Sequence, residues 1–220
     1  MGKTTFTTIA GGELTPDTLV IPDNSLTANS QIKAGADIAR AKMVQETFSP
    51  FPLLLTDARV WDSGALLPTS SASNDDLWLN MGTLGSSEAP TIETEDKASN
   101  AGAESQKASW LFPVPIEYDE DETFEVRFRA KMATIADTTM TIDCEVYECT
   151  DGAVGSDICT TSAQTLTASY ANYDFTITDT GIAVGDVLLV LVNVTINDAA
   201  TGSGVICEIA DARVRCDTRG

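Results

Sequence analysis

Between Thr123 and Met132 the chain alternates without a break. Phe124, Val126, Phe128, Ala130 and Met132 fall on one face, and Glu125, Arg127, Arg129 and Lys131 on the other. Only an extended strand puts every second side chain on the same side. A strand that is apolar on one face and charged on the other belongs to a sheet with one dry face and one wet one. Such a sheet must bury its dry face against another layer.

The same pattern recurs. Thr139–Tyr147 turns Met140, Ile142, Cys144 and Val146 inward and Thr141, Asp143 and Glu145 outward. Asn172–Thr178 does so with Tyr173, Phe175 and Ile177. Val187–Ile196 is apolar on both faces, which predicts a central strand covered on both sides. Val205–Cys216 is the last strand, and Leu53–Trp61, Asp76–Met81 and Ser109–Val114 are fainter ones. Prolines at 50, 52, 68, 90, 113 and 115 punctuate this region, and clusters such as Asp151-Gly152 and Asp179-Thr180-Gly181 mark turns. Many short strands with no helical period between them predict an all-β fold, an antiparallel β-sandwich of about eight strands arranged like a jelly roll.

The first 46 residues read differently. They carry no aromatic after Phe6, and from Ile21 the larger apolar residues stand alone: Ile21, Leu26, Ile32, Ile38 and Met43. Gaps of five and six residues match neither a helix nor a strand. Ser30 could cap an Ala-rich helix, but its apolar stripe would be too thin to hold alone. Residues 1–46 are therefore expected to be an extended arm that orders only against a partner or its own copies, and residues 47–220 the sandwich.

Charge divides at the same place. Residues 1–45 hold four cations and four acids, whereas residues 46–220 hold nine cations and 29 acids, so the whole formal charge of −20 sits on the body. Such a body repels nucleic-acid phosphates and anionic membrane surfaces, so neither is an expected partner. The chain has no histidine, which excludes Ser-His-Asp and Cys-His nucleophile systems and histidine-ligated zinc. No apolar run approaches bilayer length, and the first residues show no apolar signal segment. No cofactor is expected.

Several stretches together resemble a known family. They are Asp75-Asp76-Leu77 with Met81-Gly82-Thr83; Phe112-Pro113-Val114-Pro115-Ile116-Glu117-Tyr118 leading into 123–129; Ile135 through Tyr147; Tyr173 through Thr178; Gly185-Asp186-Val187-Leu188; and Asn197 through Gly202. The body resembles the jelly-roll cement, or decoration, proteins on the heads of tailed bacteriophages. The arm, in Ile32-Lys33-Ala34-Gly35-Ala36-Asp37-Ile38-Ala39 with Lys42-Met43, is similar to segments near the trimeric stems of phage surface proteins. The resemblance implies a homotrimer on the outer surface of the capsid, its arm clamping major capsid subunits through Ile21, Leu26, Ile32, Ile38 and Met43. It implies no catalytic residues. The alternative is a glycan-binding host-adhesion module on a phage fibre or head.

Other residues have a chemical reading and a plainer one. The turn Asp119-Glu120-Asp121-Glu122, the pair Asp75-Asp76 and Asp96 could offer oxygen ligands to Ca²⁺, but they lack the spacing of a calcium loop, and solvated turns are the preferred reading. A glycosidase needs two carboxyls at a set separation; with 29 acids in the body, Asp143, Glu208 and Asp211 carry no signal for it. Trp61, Trp78 and Trp110 could line a sugar platform, but core or interface anchoring is preferred. Arg127, Arg129 and Lys131 fit either a contact with an acidic neighbour or a cross-strand ladder with Asp143 and Glu145. Of the five cysteines none is spaced as CxxC; reduced thiols are expected, with Cys149 and Cys159 as the candidates for a bridge across an acidic turn.

Overall fold

The computed structural model describes residues 47–71, 74–83, 88–95, 101–120, 122–133, 139–178, 181–199 and 205–218. The expected arm, with Ile21, Leu26, Ile32, Ile38 and Met43, lies outside them. The described residues belong to a compact unit, Val44–Gly220. They form eleven strands: β1 (Thr47–Pro52), β2 (Trp78–Asn80), β3 (Thr91–Glu93), β4 (Ala101–Pro113), β5 (Phe124–Met132), β6 (Thr139–Thr150), β7 (Ala153–Asp157), β8 (Gln164–Thr165), β9 (Ala171–Ile177), β10 (Val187–Ala199) and β11 (Cys207–Thr218).

Two antiparallel sheets face each other as a jelly-roll sandwich. The first runs β2-β3-β11-β5-β9, with β1 also paired to β11. The second runs β4-β10-β6-β7, with β8 also paired to β6. Because β5 takes one side of β11, β3 and β1 must share the other: β3 beside Glu208 and Ile209, β1 beside residues 213–218.

The dry face of β5 is buried along its length, as its alternation predicts. It meets the dry face of β4 ring on ring. Trp110 stands 6.2 Å from Phe128, and Phe112 stands 6.3 Å from Phe124 and 6.2 Å from Phe51. Phe128 in turn packs edge-on against Phe175 of β9 at 6.0 Å. Tilted and edge-on rings of this kind add to the gain from burying their area. The Trp110 indole is not orphaned in this core, because its Nε1 donates to the Leu54 carbonyl at 3.0 Å.

Expected and observed strands differ in instructive ways. β10 is central in its sheet and buries Leu188, Val190, Val192, Val194 and Ile196, but of its described outer-face side chains only Leu191, 5% exposed, is buried. Cover on both sides therefore holds at one residue rather than along the strand. Leu53–Trp61 is not a strand: it holds a 3-10 turn at Leu55–Asp57, and the strand lies earlier, at β1. Pro50 and Pro52 sit inside β1, which is tolerated because β1 has a partner on one side only. β3, β7 and β8 are too short for any period to show. The Asp151-Gly152 turn joins β6 to β7 with both residues at positive φ, the twist that a tight hairpin requires.

β11 breaks its alternation once. Cys207 and Ile209 point inward, then Ala212, Val214 and Cys216 do, and the register with β5 shifts between Ile209 and Asp211. One extra residue, a β-bulge, restores the apolar phase.

Phe128 touches both the facing sheet and its neighbour strand. Phe128→Ala should lower stability by about 3–5 kcal/mol without altering the fold, measured as the shift in urea unfolding midpoint against circular dichroism at low denaturant. A loss below about 1 kcal/mol would mean that these rings do not carry the core.

Candidate functional site

The bulge in β11 opens the outer face of the first sheet. Around it lies a hollow of about 500 Å³ lined by Asn80, Glu88, Thr91, Glu93, Lys131, Tyr170, Glu208 and Ala210, among others. Ala210 falls in the gap on β11 between the stretch paired to β3 and the stretch paired to β1. Register builds the rest. Trp78, Glu93, Glu208 and Lys131 stand directly opposite one another across β2, β3, β11 and β5.

This row sets two carboxylates, Glu93 and Glu208, face to face, which is unfavourable unless donors separate them. Donors are present on both. Glu93 is only 8% exposed, and its Oε1 accepts from Thr91 Oγ1 at 2.6 Å and from Asn80 Nδ2 at 2.8 Å. Glu208 Oε2 accepts from Lys131 Nζ at 2.9 Å and from the Tyr170 hydroxyl at 2.7 Å. Lys131 also lies 4.7 Å from the centroid of the Tyr170 ring, and the Arg129 guanidinium lies at 5.8 Å. Burial, together with the hydrogen bond to Glu208, raises the Tyr170 phenol above its ordinary value. One wall comes from a close approach: Gly82 has φ +63°, and a Cβ there would stand 2.5 Å from the Glu88 carbonyl oxygen. The arrangement offers fixed carboxylate acceptors, an amide and a ring with cations over it. It can bind hydroxyl or amino groups.

The rest of that outer face is an ion-pair lattice. Arg127 pairs with Asp174 across β5 and β9, with Nη2 to Oδ2 at 2.7 Å, and Arg215 pairs with Glu125 across β11 and β5. Lys131 pairs with Glu208 as described. The expected ladder of these cations with Asp143 and Glu145 is not found, because those acids lie on β6 in the other sheet. Glu145 accepts instead from the Tyr147 hydroxyl. Burial, then repulsion from Asp174, holds the Glu125 carboxyl above its usual range despite its arginines.

The tryptophans part ways. Trp110 is core. Trp78 is half-buried, its Nε1 bonded to the Thr94 carbonyl at 3.1 Å. Trp61 lies at the surface of the other sheet, bonded to Asp75 at 3.2 Å with Lys107 Nζ 4.5 Å from its ring. They form no shared platform. Asp76 bonds Asn74 at 2.6 Å, and Glu120 accepts from the Val184 amide at 3.3 Å. Asp96 and Asp121 lie outside the described residues. Among the described residues no group of three or more acids or cysteines is placed to hold a metal ion. All five cysteines are free thiols, and no helix is long and apolar enough to cross a membrane among the described residues. Tyr170 and Glu93 were not distinguishable in the sequence, since their meeting depends on the pairing of β3 with β11.

No protein-family model matches the chain, and no curated protein matches it. Solved structures with a similar outline include carbohydrate-binding modules. The CBM22-1 xylan-binding domain of Paenibacillus barcinonensis Xyn10C is 9% identical with a TM-score of 0.40, covering 79% of this chain and 99% of that one. A family 35 module from Clostridium thermocellum is 12% identical with a TM-score of 0.37, covering 76% and 97%. TmCBM61, solved with β-1,4-galactotriose, is 12% identical with a TM-score of 0.39, covering 68% and 86%. Likeness at this level is one of β-sandwich outline and says nothing of ligand.

The raised Tyr170 phenol fixes a sign. A phenol with a folded pKa above its ordinary 10.0 adds stability below that pH and ceases to do so as pH climbs past the raised value. At about pH 8, Tyr170→Phe should be less stable than the parent by about 1 kcal/mol in urea. Toward about pH 11 the gap should shrink, with Tyr147, also raised, cancelling between the two proteins. A gap that widens with pH would contradict the Tyr170–Glu208 bond.

Proposed function

We propose that this chain is a non-catalytic structural protein of a virion surface: a decoration protein that trimerises on the outside of a tailed-phage head and clamps major capsid subunits through its first 46 residues. The observation that supports this best is the division of charge, zero over residues 1–45 and −20 over the remainder. A neutral segment can lie against protein without repulsion, and an acidic body repels DNA and neighbouring particles. The attachment of that segment also suits a clamp. It leads into β1, which pairs with β11 along all six residues. Ser49 Oγ and Thr218 Oγ1 are hydrogen-bonded at 2.9 Å, and the Arg215 guanidinium lies 4.1 Å from the Phe48 ring centroid. Load on the arm would thus enter a core strand rather than a loop. Ile21, Leu26, Ile32, Ile38 and Met43 are the residues we assign to the capsid or trimer contact, ordering as they bind.

Deleting residues 1–45 should leave a β-rich circular dichroism spectrum and abolish co-sedimentation with undecorated heads. Heads decorated to full occupancy by the truncated chain would refute the clamp.

A second reading, a glycan-binding adhesion module, is favoured by the hollow around Tyr170, where carboxylate and amide acceptors meet an aromatic ring in a concave site. On a glycan array the parent should then bind at least one glycan, and Tyr170→Ala should weaken it roughly tenfold, about 1.4 kcal/mol. Binding that ignores this substitution would remove the hollow from consideration.

A further inference from the structure

One flank of the sandwich is closed by a seam. β6 pairs with β7 at Tyr147–Asp157 and with β8 at Thr141–Thr165 and Ile142–Gln164. Between these contacts the chain leaves β6 and crosses to the other sheet. The Ile158 amide still donates to the Val146 carbonyl at 2.8 Å, but Cys159 forms a β-bridge with Ile177 of β9. The Thr160 amide donates to the Thr176 carbonyl at 2.9 Å, and the Thr178 amide donates to the Ile158 carbonyl at 2.8 Å. The Asp157 carboxylate ties the crossing down, accepting from the amides of Val146 and Cys159, each at 2.9 Å. Residues 158–160 are therefore bonded to both sheets.

Cys144 stands on β6 midway between Ile142 and Val146, on the core face, 2% exposed. It occupies the gap from which the seam departs. Cys159, half-buried, is the seam residue packed against the core beside this gap, and each of the two thiols shifts the other's titration. Cys149 is excluded from this meeting. It lies three residues beyond Val146, about 10 Å further along the strand, and a disulfide needs Cα atoms within roughly 7 Å.

We propose that Cys144 and Cys159 are a latent disulfide, closed by thiol–disulfide exchange with a small-molecule disulfide, and that the bond staples β6 to the seam joining the two sheets. The chemistry balances in two displacements. Cys159 loses its proton and its thiolate attacks one sulfur of the oxidant; the oxidant's S–S bond breaks, and one small thiol leaves carrying that proton. Cys144 then gives up its proton and attacks the Cys159 sulfur, displacing the second small thiol. Two protein thiols become one disulfide, and one small disulfide becomes two small thiols.

The environments assign the order of events. The neighbouring Cys144 thiol holds the Cys159 thiol below its ordinary value, against the effect of its own burial. Burial pushes the Cys144 thiol well above its own. Cys159 is thus the accessible, more acidic partner that reacts first, and Cys144 needs no solvent access because its target stands in the same gap beside β6. Cys207 and Cys216 are buried thiols, both raised by burial, and lie on β11 in the other sheet.

The test uses the full chain. The protein is reduced, freed of reductant and exposed to oxidised glutathione; remaining thiols are then alkylated under denaturing conditions. Cleavage after Glu145, Glu148 and Asp157 puts Cys144, Cys149 and Cys159 on separate peptides for mapping without reduction. We expect one link, Cys144 to Cys159, an intact mass lighter by two hydrogens, and alkylation at Cys149, Cys207 and Cys216. The closed loop spans fifteen residues, so the oxidised chain should melt higher by about 6–12 °C. Cys149→Ser should cross-link as fully as the parent. A link through Cys149, a glutathione adduct that persists on Cys159, or alkylation of all five thiols after oxidation would each overturn the proposal, and none of these readings depends on a variant that fails to fold.

Discussion

The interlocking of β4 with β5 is the contact from which the rest of this molecule follows. Trp110 and Phe112 reach across from one sheet, and Phe124 and Phe128 meet them from the other. Rings of that size commit the inward positions beside them to apolar residues, from Phe124 to Met132 on β5 and from Ala108 to Phe112 on β4, with Gln106 the buried polar residue beyond them. The outward positions are committed as well, because strand side chains alternate. Glu125, Arg127, Arg129 and Lys131 have no other place to go. Their ion pairs, part-buried on the outer face, are a consequence of the core rather than a separate design.

The bulge in β11 shows how such a constraint makes a site. Without the extra residue, the second half of the strand would turn its apolar side chains to water. With it, Val214 and Cys216 stay inside, and Ala210 is left where β3 has ended and β1 has not begun. The hollow occupies that gap. Its two opposed glutamates would repel each other across the strands were it not for four donors from four different segments. The charge of the molecule is distributed accordingly. Arg127, Arg129, Lys131, Arg213 and Arg215, five of the nine cations after residue 45, stand on β5 and β11, so this face is locally close to balance while the acid excess lies elsewhere.

What could be read in the sequence follows from the same logic. β5, β6 and β9 were legible because one face of each is dry and the other wet, and the Asp151-Gly152 hairpin because its twist needs residues that accept positive φ. β1 was not, since prolines read as breaks when the strand's edge position is unknown. The cations of β5 could be placed on an outer face, but their partners could not be named: Asp174 and Glu208 are chosen by strand order, and period says nothing of order. Glu93 and Tyr170 were hidden for the same reason. Proximity of Cys159 to Cys144 rather than to Cys149 depends on where the chain leaves β6, a detail that no spacing in the sequence encodes. The capsid assignment rests on the resemblance and the charge division, both of which belong to the sequence.

The pairing of β1 with β11 has a practical side. Thr47 lies opposite Thr218, so the first residue of β1 and the last of β11 share one corner of the sandwich. Cargo joined directly after β11 would emerge beside the start of β1. The Asp151-Gly152 tip is a different kind of place: a solvent-exposed two-residue turn between β6 and β7, on the sheet that does not contain β1 and β11. For displaying a foreign peptide on this scaffold, insertion at that tip is the better choice, because it leaves the β1–β11 pairing untouched.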